Sequence, residues 1–258
     1  MKINHLSISR LQVWRLCQKQ YEYKYHLELP IPGKEPIYFL YGSIIHKIAE
    51  KYIENSGKIP LNELAESVLK GKIELNDRGK PVKATKINLP AEYKKKLPEH
   101  LRYLQKITNQ LGFGGKTEWP FEYDLDPPNK RCVVGYIDRL IQKDDKFWII
   151  DYKTSKQGWH RKNAKNITDD LQLRCYARIV QKTFDVKAEN IKTALYYLEG
   201  GELIGACFSE DSLERIEKDL LKAYLDIEST QPSNVWGNVG DHCRMCPYLA
   251  LCPFRALT

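Results

Sequence analysis

Three strand-like segments in close succession constrain this chain more than any other feature of its sequence. Thr117 to Leu125, Cys132 to Gln142 and Lys146 to Lys153 are rich in aromatic and β-branched residues, and only Asp126-Pro127-Pro128-Asn129 and Asp144-Asp145, both with strong turn chemistry, separate them. Links this short join antiparallel neighbours, so the sequence predicts a meander. Beyond it, Asp169-Asp170 can cap a helix running to about Thr183, a strand pair is expected at Lys192 to Leu198 and Leu203 to Phe208, and Glu210 to Ile227 has the spacing of an amphipathic helix. These elements predict an α/β fold with a central mixed sheet and flanking helices.

The region before the meander is helical in pattern. Ser7-Ile8-Ser9 precedes Leu11, Trp14, Leu16, Tyr21 and Tyr25, which predicts an N-capped helix running towards Pro30 with Cys17 inside it. A second helix is expected from about Phe39 to Glu54, with Ile44, Ile45, Ile48, Ala49 and Tyr52 as its buried side and His46 also on it. Ser56 to Gly115 is Lys-rich and mostly helical in pattern, with breaks at Pro60, Gly79-Lys80-Pro81 and Pro90, and reads as a helical insertion or cap. Residues 1–55, 56–115, 116–230 and 231–258 therefore form the expected organisation: N-terminal helices, insertion, core and a loop-like cysteine-rich tail.

A chain of 258 residues can bury an ordinary core without disulfide staples. A mean hydropathy of −0.53, the absence of an apolar leader and the lack of any run of roughly 20 apolar residues predict an intracellular, cytoplasmic protein without a membrane partner, or one in host cytoplasm if viral. Its seven cysteines are an odd count, which favours thiols or metal ligands over complete pairing. The net charge of +8 allows a polyanionic partner and is only a weak pointer to one.

Chemistry concentrates in the meander. In Ile149-Ile150-Asp151-Tyr152-Lys153-Thr154 alternation puts Asp151 and Lys153 on one face and Ile150 and Tyr152 on the other. The preceding strand carries Asp138 in Gly135-Tyr136-Ile137-Asp138, a carboxylate among apolar neighbours. Two carboxylates converging with a lysine suit metal-dependent phosphodiester hydrolysis, because hard oxygen ligands hold Mg²⁺ or Mn²⁺ and the cation activates water and neutralises phosphate charge. Taken singly, Asp-x-Lys also fits a surface salt bridge, His46 a satisfied helix histidine, and Asp138 a partner of Arg139.

Four segments in order, Gly42-Ser43-Ile44-Ile45-His46, Gly135-Tyr136-Ile137-Asp138, Asp151-Tyr152-Lys153 and Gln172-Leu173-Arg174-Cys175-Tyr176, resemble the GxxxH, GxxD, DxK and QxxxY motifs of RecB-type nucleases in the PD-(D/E)XK superfamily. The resemblance implies a restriction-endonuclease-like core, with His46, Asp138, Asp151 and the Tyr152 carbonyl as metal ligands. It further implies Lys153 as the catalytic lysine, alongside the catalytic carboxylates Asp138 and Asp151, and Gln172 with Tyr176 as site-organising residues. Gln172 and Tyr176 stand four apart on the expected helix and can face the site together.

The tail holds Cys243, Cys246 and Cys252, a compact set of soft ligands one short of the four that Zn²⁺ or a 4Fe–4S cluster takes. Cys17 resembles the isolated N-terminal cysteine of the iron–sulfur-containing branch of these nucleases, which includes CRISPR-associated adaptation nucleases and the AddB nuclease domain. The resemblance implies a 4Fe–4S cluster on Cys17, Cys243, Cys246 and Cys252 that staples the terminus; structural Zn²⁺ fits the spacing equally. Gln18 stands where that branch often has proline. Cys132, Cys175 and Cys207 lie in apolar contexts and are expected to be core thiols.

Lys156, Trp159, Arg161 and Lys162 follow Lys153 in a basic loop that could hold phosphates and stack a base. The combined reading is a DNA exonuclease acting on single strands or free ends, with a helicase, recombinase or integrase as a conceivable partner. A structure-selective or flap endonuclease with the same site, and a non-catalytic DNA-binding adaptor, are the alternatives.

Overall fold

A computed structural model describes residues 1, 3–32, 36–77, 80–81, 86–155 and 162–255. The chain forms two compact units, one comprising 1–36, 121–135 and 214–258, the other 37–120 and 136–213.

In the first unit, Ser7 caps α1 (Ile8–Leu16) by accepting from the Arg10 N–H at 3.2 Å. The single helix expected to reach Pro30 is instead broken at Cys17, whose backbone is extended (φ −160°, ψ 112°). A short α2 (Gln18–Tyr21) and a π turn (Glu22–His26) follow. Tyr21, Glu22 and Tyr23 around the π turn are all buried.

In the second unit, α3 (Ile37–Glu54) buries Ile44, Ile45, Ile48, Ala49 and Tyr52, the helical stripe the sequence predicts, together with Tyr41, Lys47 and Ile53. The insertion holds α4 (Leu61–Leu69), a short ribbon of β1 (Asn76–Asp77) and β2 (Lys80–Pro81), and α5 (Ala91–Leu111). Pro60 and Pro90 stand at the N-caps of α4 and α5, where the missing N–H costs no helical hydrogen bond. The apolar sides of α3, α4 and α5 pack with Ile150, Tyr152, Ala194 and Tyr196 into one core.

The sheet has the order β3-β4-β5-β6-β7, with β3 (Lys116–Asp126), β4 (Arg131–Lys143), β5 (Lys146–Lys153), β6 (Ile191–Tyr197) and β7 (Glu202–Ala206). It is mixed: β4 and β5 are antiparallel from Arg139↔Ile150 to Lys143↔Lys146, β5 and β6 are parallel from Phe147↔Ile191 to Lys153↔Tyr197, and β6 and β7 are antiparallel. The parallel pair needs a crossover, which α6 (Leu171–Phe184) supplies. Asp170 caps α6 by accepting from the Leu173 N–H at 2.8 Å. Helix α7 spans Glu210–Ser229, and among the described residues the tail beyond contains only short 3-10 turns.

One cysteine departs from expectation. Cys132 and Cys175 are buried, but Cys207 is exposed. It follows β7, where Ile204, Ala206 and Phe208 take the inward positions and alternation turns Cys207 outward. Among the described residues no helix is long and apolar enough to cross a membrane.

Candidate active site

The motif residues of the second unit converge from four elements. Helix α3 contributes His46, β4 Asp138, β5 Asp151, Tyr152 and Lys153, and α6 Gln172 and Tyr176. Past the Arg139↔Ile150 pair the β4 side chain takes over from the backbone: the Tyr152 N–H donates to Asp138 Oδ2 at 2.7 Å. This fixes the Asp138 carboxylate and leaves Oδ1 facing His46, 3.3 Å from Nδ1. Arg139 does not pair with Asp138; its guanidinium donates to the Gly112 and Gly114 carbonyls.

Alternation along β5 sends Ile150 and Tyr152 into the helical core, as the sequence predicts. On the other face Lys153 Nζ lies 2.6 Å from Asp151 Oδ2 and donates to Gln172 Oε1 at 3.0 Å. Gln172 Nε2 in turn donates to the Tyr176 hydroxyl at 2.7 Å. The Asp151–Lys153 contact is an ion pair without an aligned hydrogen bond, so Oδ2 keeps unused acceptor capacity although Asp151 is only 1% exposed. Lys153, with its side chain 36% exposed, is the accessible member of the pair.

Electrostatics separates the two aspartates. Burial pushes Asp151 up to about 7 against the pull of Lys153. Burial acts on Asp138 in the same direction, but the His46 imidazole and Lys153 outweigh it and hold its carboxyl below the usual range. For His46, burial alone would favour the neutral ring; Asp138 and Glu118 reverse this and hold it well above its ordinary value. Lys153 is likewise raised, because the Asp151 and Asp138 carboxylates overcome the cost of burial.

Glu118, on β3, is the residue that the sequence reading misses. Its Oε1 lies 3.4 Å from His46 Nδ1, and the donor atoms of His46, Glu118 and Asp138 all lie within 4.8 Å of one another. One imidazole and two carboxylates are a donor set that fits a divalent cation. No motif marks Glu118; its only local signal is a charged residue among the aromatics of a strand.

Of the proposed DNA contacts, Lys156, Trp159 and Arg161 lie outside the described residues. Lys162 is half-buried, and its backbone N–H donates to the Tyr197 hydroxyl at 2.9 Å.

In the first unit Cys17, Cys243, Cys246 and Cys252 line a single cavity with Tyr23, Tyr248 and Phe254. The extended backbone at Cys17 and the short turns of the tail bring together thiols more than 200 positions apart in sequence. Burial pushes the Cys246 thiol up, and Cys17, Cys243 and Cys252 act in the same direction. No three cysteine sulfurs among the described residues lie within 4.8 Å of one another.

No curated protein matches the chain. Among solved structures, a protein of Eubacterium rectale described as a "Putative exonuclease" aligns with a TM-score of 0.54 at 13% identity, covering 94% of this chain and 88% of its own. SSO0001 aligns with a TM-score of 0.46 at 13% identity, covering 98% of this chain and 87% of its own. The first of these likenesses concerns the fold. The PD-(D/E)XK nuclease superfamily profile matches residues 5–253, a span that includes both the site and the cysteines, and the chain belongs to that superfamily.

Proposed function

We propose that the chain hydrolyses DNA phosphodiester bonds with Mg²⁺ or Mn²⁺, as an exonuclease on single strands or free ends. The observation that carries this reading is the convergence of His46, Asp138, Asp151, Lys153, Gln172 and Tyr176, from four separate motifs, on one end of the β4–β5 pair. His46, Asp138, Asp151 and the Tyr152 carbonyl would hold the cation, which supplies water activation and neutralises phosphate charge. The chain's own groups do the rest. Lys153 orients the attacking water or stabilises charge on the phosphate, and Asp151 keeps its ammonium protonated and in place. Gln172 fixes the Lys153 head from the other side, and Tyr176 locks the Gln172 amide.

The exonuclease assignment is tested with end-labelled single- and double-stranded DNA whose ends are open or blocked. An exonuclease releases label from open ends and stalls on blocked ones; cutting of blocked substrates would turn the reading to a structure-selective or flap endonuclease. Tight DNA binding without cleavage in either metal would instead indicate an adaptor.

Cys17, Cys243, Cys246 and Cys252 are proposed to hold a 4Fe–4S cluster with a structural role. A closed zinc tetrahedron with Zn–S near 2.3 Å draws its sulfurs to about 3.8 Å from one another. Four thiolates suit either group, and it is the resemblance of Cys17 to the isolated N-terminal cysteine of the iron–sulfur-containing branch that turns the reading to the cluster. A visible spectrum of anaerobically purified protein distinguishes an absorbing iron–sulfur cluster from colourless zinc.

A further inference from the structure

We infer that Glu118 is a metal ligand, and that His46, Glu118 and Asp138 together form a cation subsite of which Asp151 is not a member. The inference deepens the proposed function and uses its metal reading, but it concerns a residue outside all four motifs. Among the described residues this is the one group in which three such donors come within 4.8 Å of one another. Asp138 has already committed Oδ2 to the Tyr152 N–H, so Oδ1, 3.3 Å from His46 Nδ1, is the oxygen left for a cation. Glu118 Oε1 approaches the same imidazole nitrogen at 3.4 Å, so two carboxylates from different strands are aimed at one point. Asp151 lies outside this trio and faces Lys153.

The backbone supports a directed placement. Glu118 has φ +43° inside strand β3, a left-handed conformation that a glutamate adopts at a cost. Such a kink re-aims a strand side chain, and here it aims a half-buried carboxylate at His46. The donor set also carries a preference. Two carboxylates alone suit Mg²⁺ or Ca²⁺, while an added imidazole shifts the balance towards transition-metal ions. The trio therefore takes Mn²⁺ in preference to Mg²⁺, with Asp138 shared between it and the Asp151 side.

The test is a Mn²⁺ titration of the full chain without DNA, followed by calorimetry and by the electron paramagnetic resonance signal of free Mn²⁺. Glu118→Gln should weaken Mn²⁺ binding by at least about tenfold, the scale on which even indirect partners of a metal site act. Glu118→Gly, which the left-handed backbone accepts freely, serves as the second variant and should bind Mn²⁺ as weakly while its metal-free Tm stays at or above that of the wild type. Wild-type Mn²⁺ affinity in both variants would overturn the role of Glu118 and leave the motif ligands intact. Failure of the wild type itself to bind Mn²⁺ would overturn both this inference and the metal reading.

Discussion

The two donor sets of this chain differ in the backbone that carries them. His46, Asp138, Asp151 and Lys153 stand on long helices and strands whose apolar faces form a core, so their positions are fixed before any ligand arrives. Cys243, Cys246 and Cys252 stand on or beside short 3-10 turns, with Cys17 at a helix break. Regular elements can hold buried charge in a strained, reactive arrangement because their packing supplies the stability. Turns with few buried side chains depend on what they bind. Loss of a ligand should therefore silence the first set and unfold the second.

The largest expected effect is on chemistry. Lys153→Ala should lower cleavage by about 10²–10⁴-fold, the range for losing a positioned proton-handling or charge-stabilising group, with Tm essentially unchanged. A parallel fall in Tm would mean that the lysine is structural. The largest expected effect on stability lies in the other set: Cys246→Ala should release the bound metal and lower stability by about 4 kcal/mol or more, roughly 10 °C in Tm. Full iron content and an unchanged melting curve in that variant would break the contrast.

A smaller effect separates the sets by pH. Asp151 titrates near 7 in the fold, above its value in the unfolded chain. Its contribution is thus present at low pH and lost as pH rises through about 7, amounting to roughly 1 kcal/mol between pH 6 and 8. Metal-free protein should melt at a lower temperature at pH 8 than at pH 6; His46, also raised above its ordinary value, acts in the same direction, so Asp151→Asn should reduce that slope without abolishing it, and added Mn²⁺ should stabilise most at the higher pH. An unchanged slope in Asp151→Asn would assign the titration elsewhere.

The smallest contrast is between two motif glycines. A Cβ on Gly135 would sit 2.6 Å from the Phe121 ring, whereas one on Gly42 would meet nothing within 4 Å. Gly135→Ala should destabilise by about 1–3 kcal/mol through overpacking. Gly42→Ala, inside α3, should stabilise by up to about 1 kcal/mol through helix propensity. Melting curves that shift in the same direction for both would contradict the packing account.

Much of this was legible in the sequence because it depends on local pattern. The meander, the buried stripe of α3 and the same-face placement of Asp151 and Lys153 follow from periods of 2 and 3.6 and from turn residues. Other features were not, because tertiary demands overrode local ones. The break at Cys17 interrupts a segment with good helical spacing and places its thiol in the cavity shared with Cys243, Cys246 and Cys252. Cys207 reads as an apolar-context thiol, yet its face is set by which side of an edge strand meets the core. The approach of Glu118 to His46 was invisible because it comes from a kinked backbone and from a histidine on another element, neither of which leaves a motif.

The central claim, that convergence on the β4–β5 end makes a metal-dependent nuclease, is tested most directly by incubating end-labelled single-stranded DNA with Mn²⁺ and purified wild-type or Asp151→Ala protein. The account predicts cleavage by the wild type that chelation abolishes, and none by an Asp151→Ala variant that keeps its fold. Undiminished cleavage by Asp151→Ala, or intact DNA with the wild type in both Mn²⁺ and Mg²⁺, would contradict it.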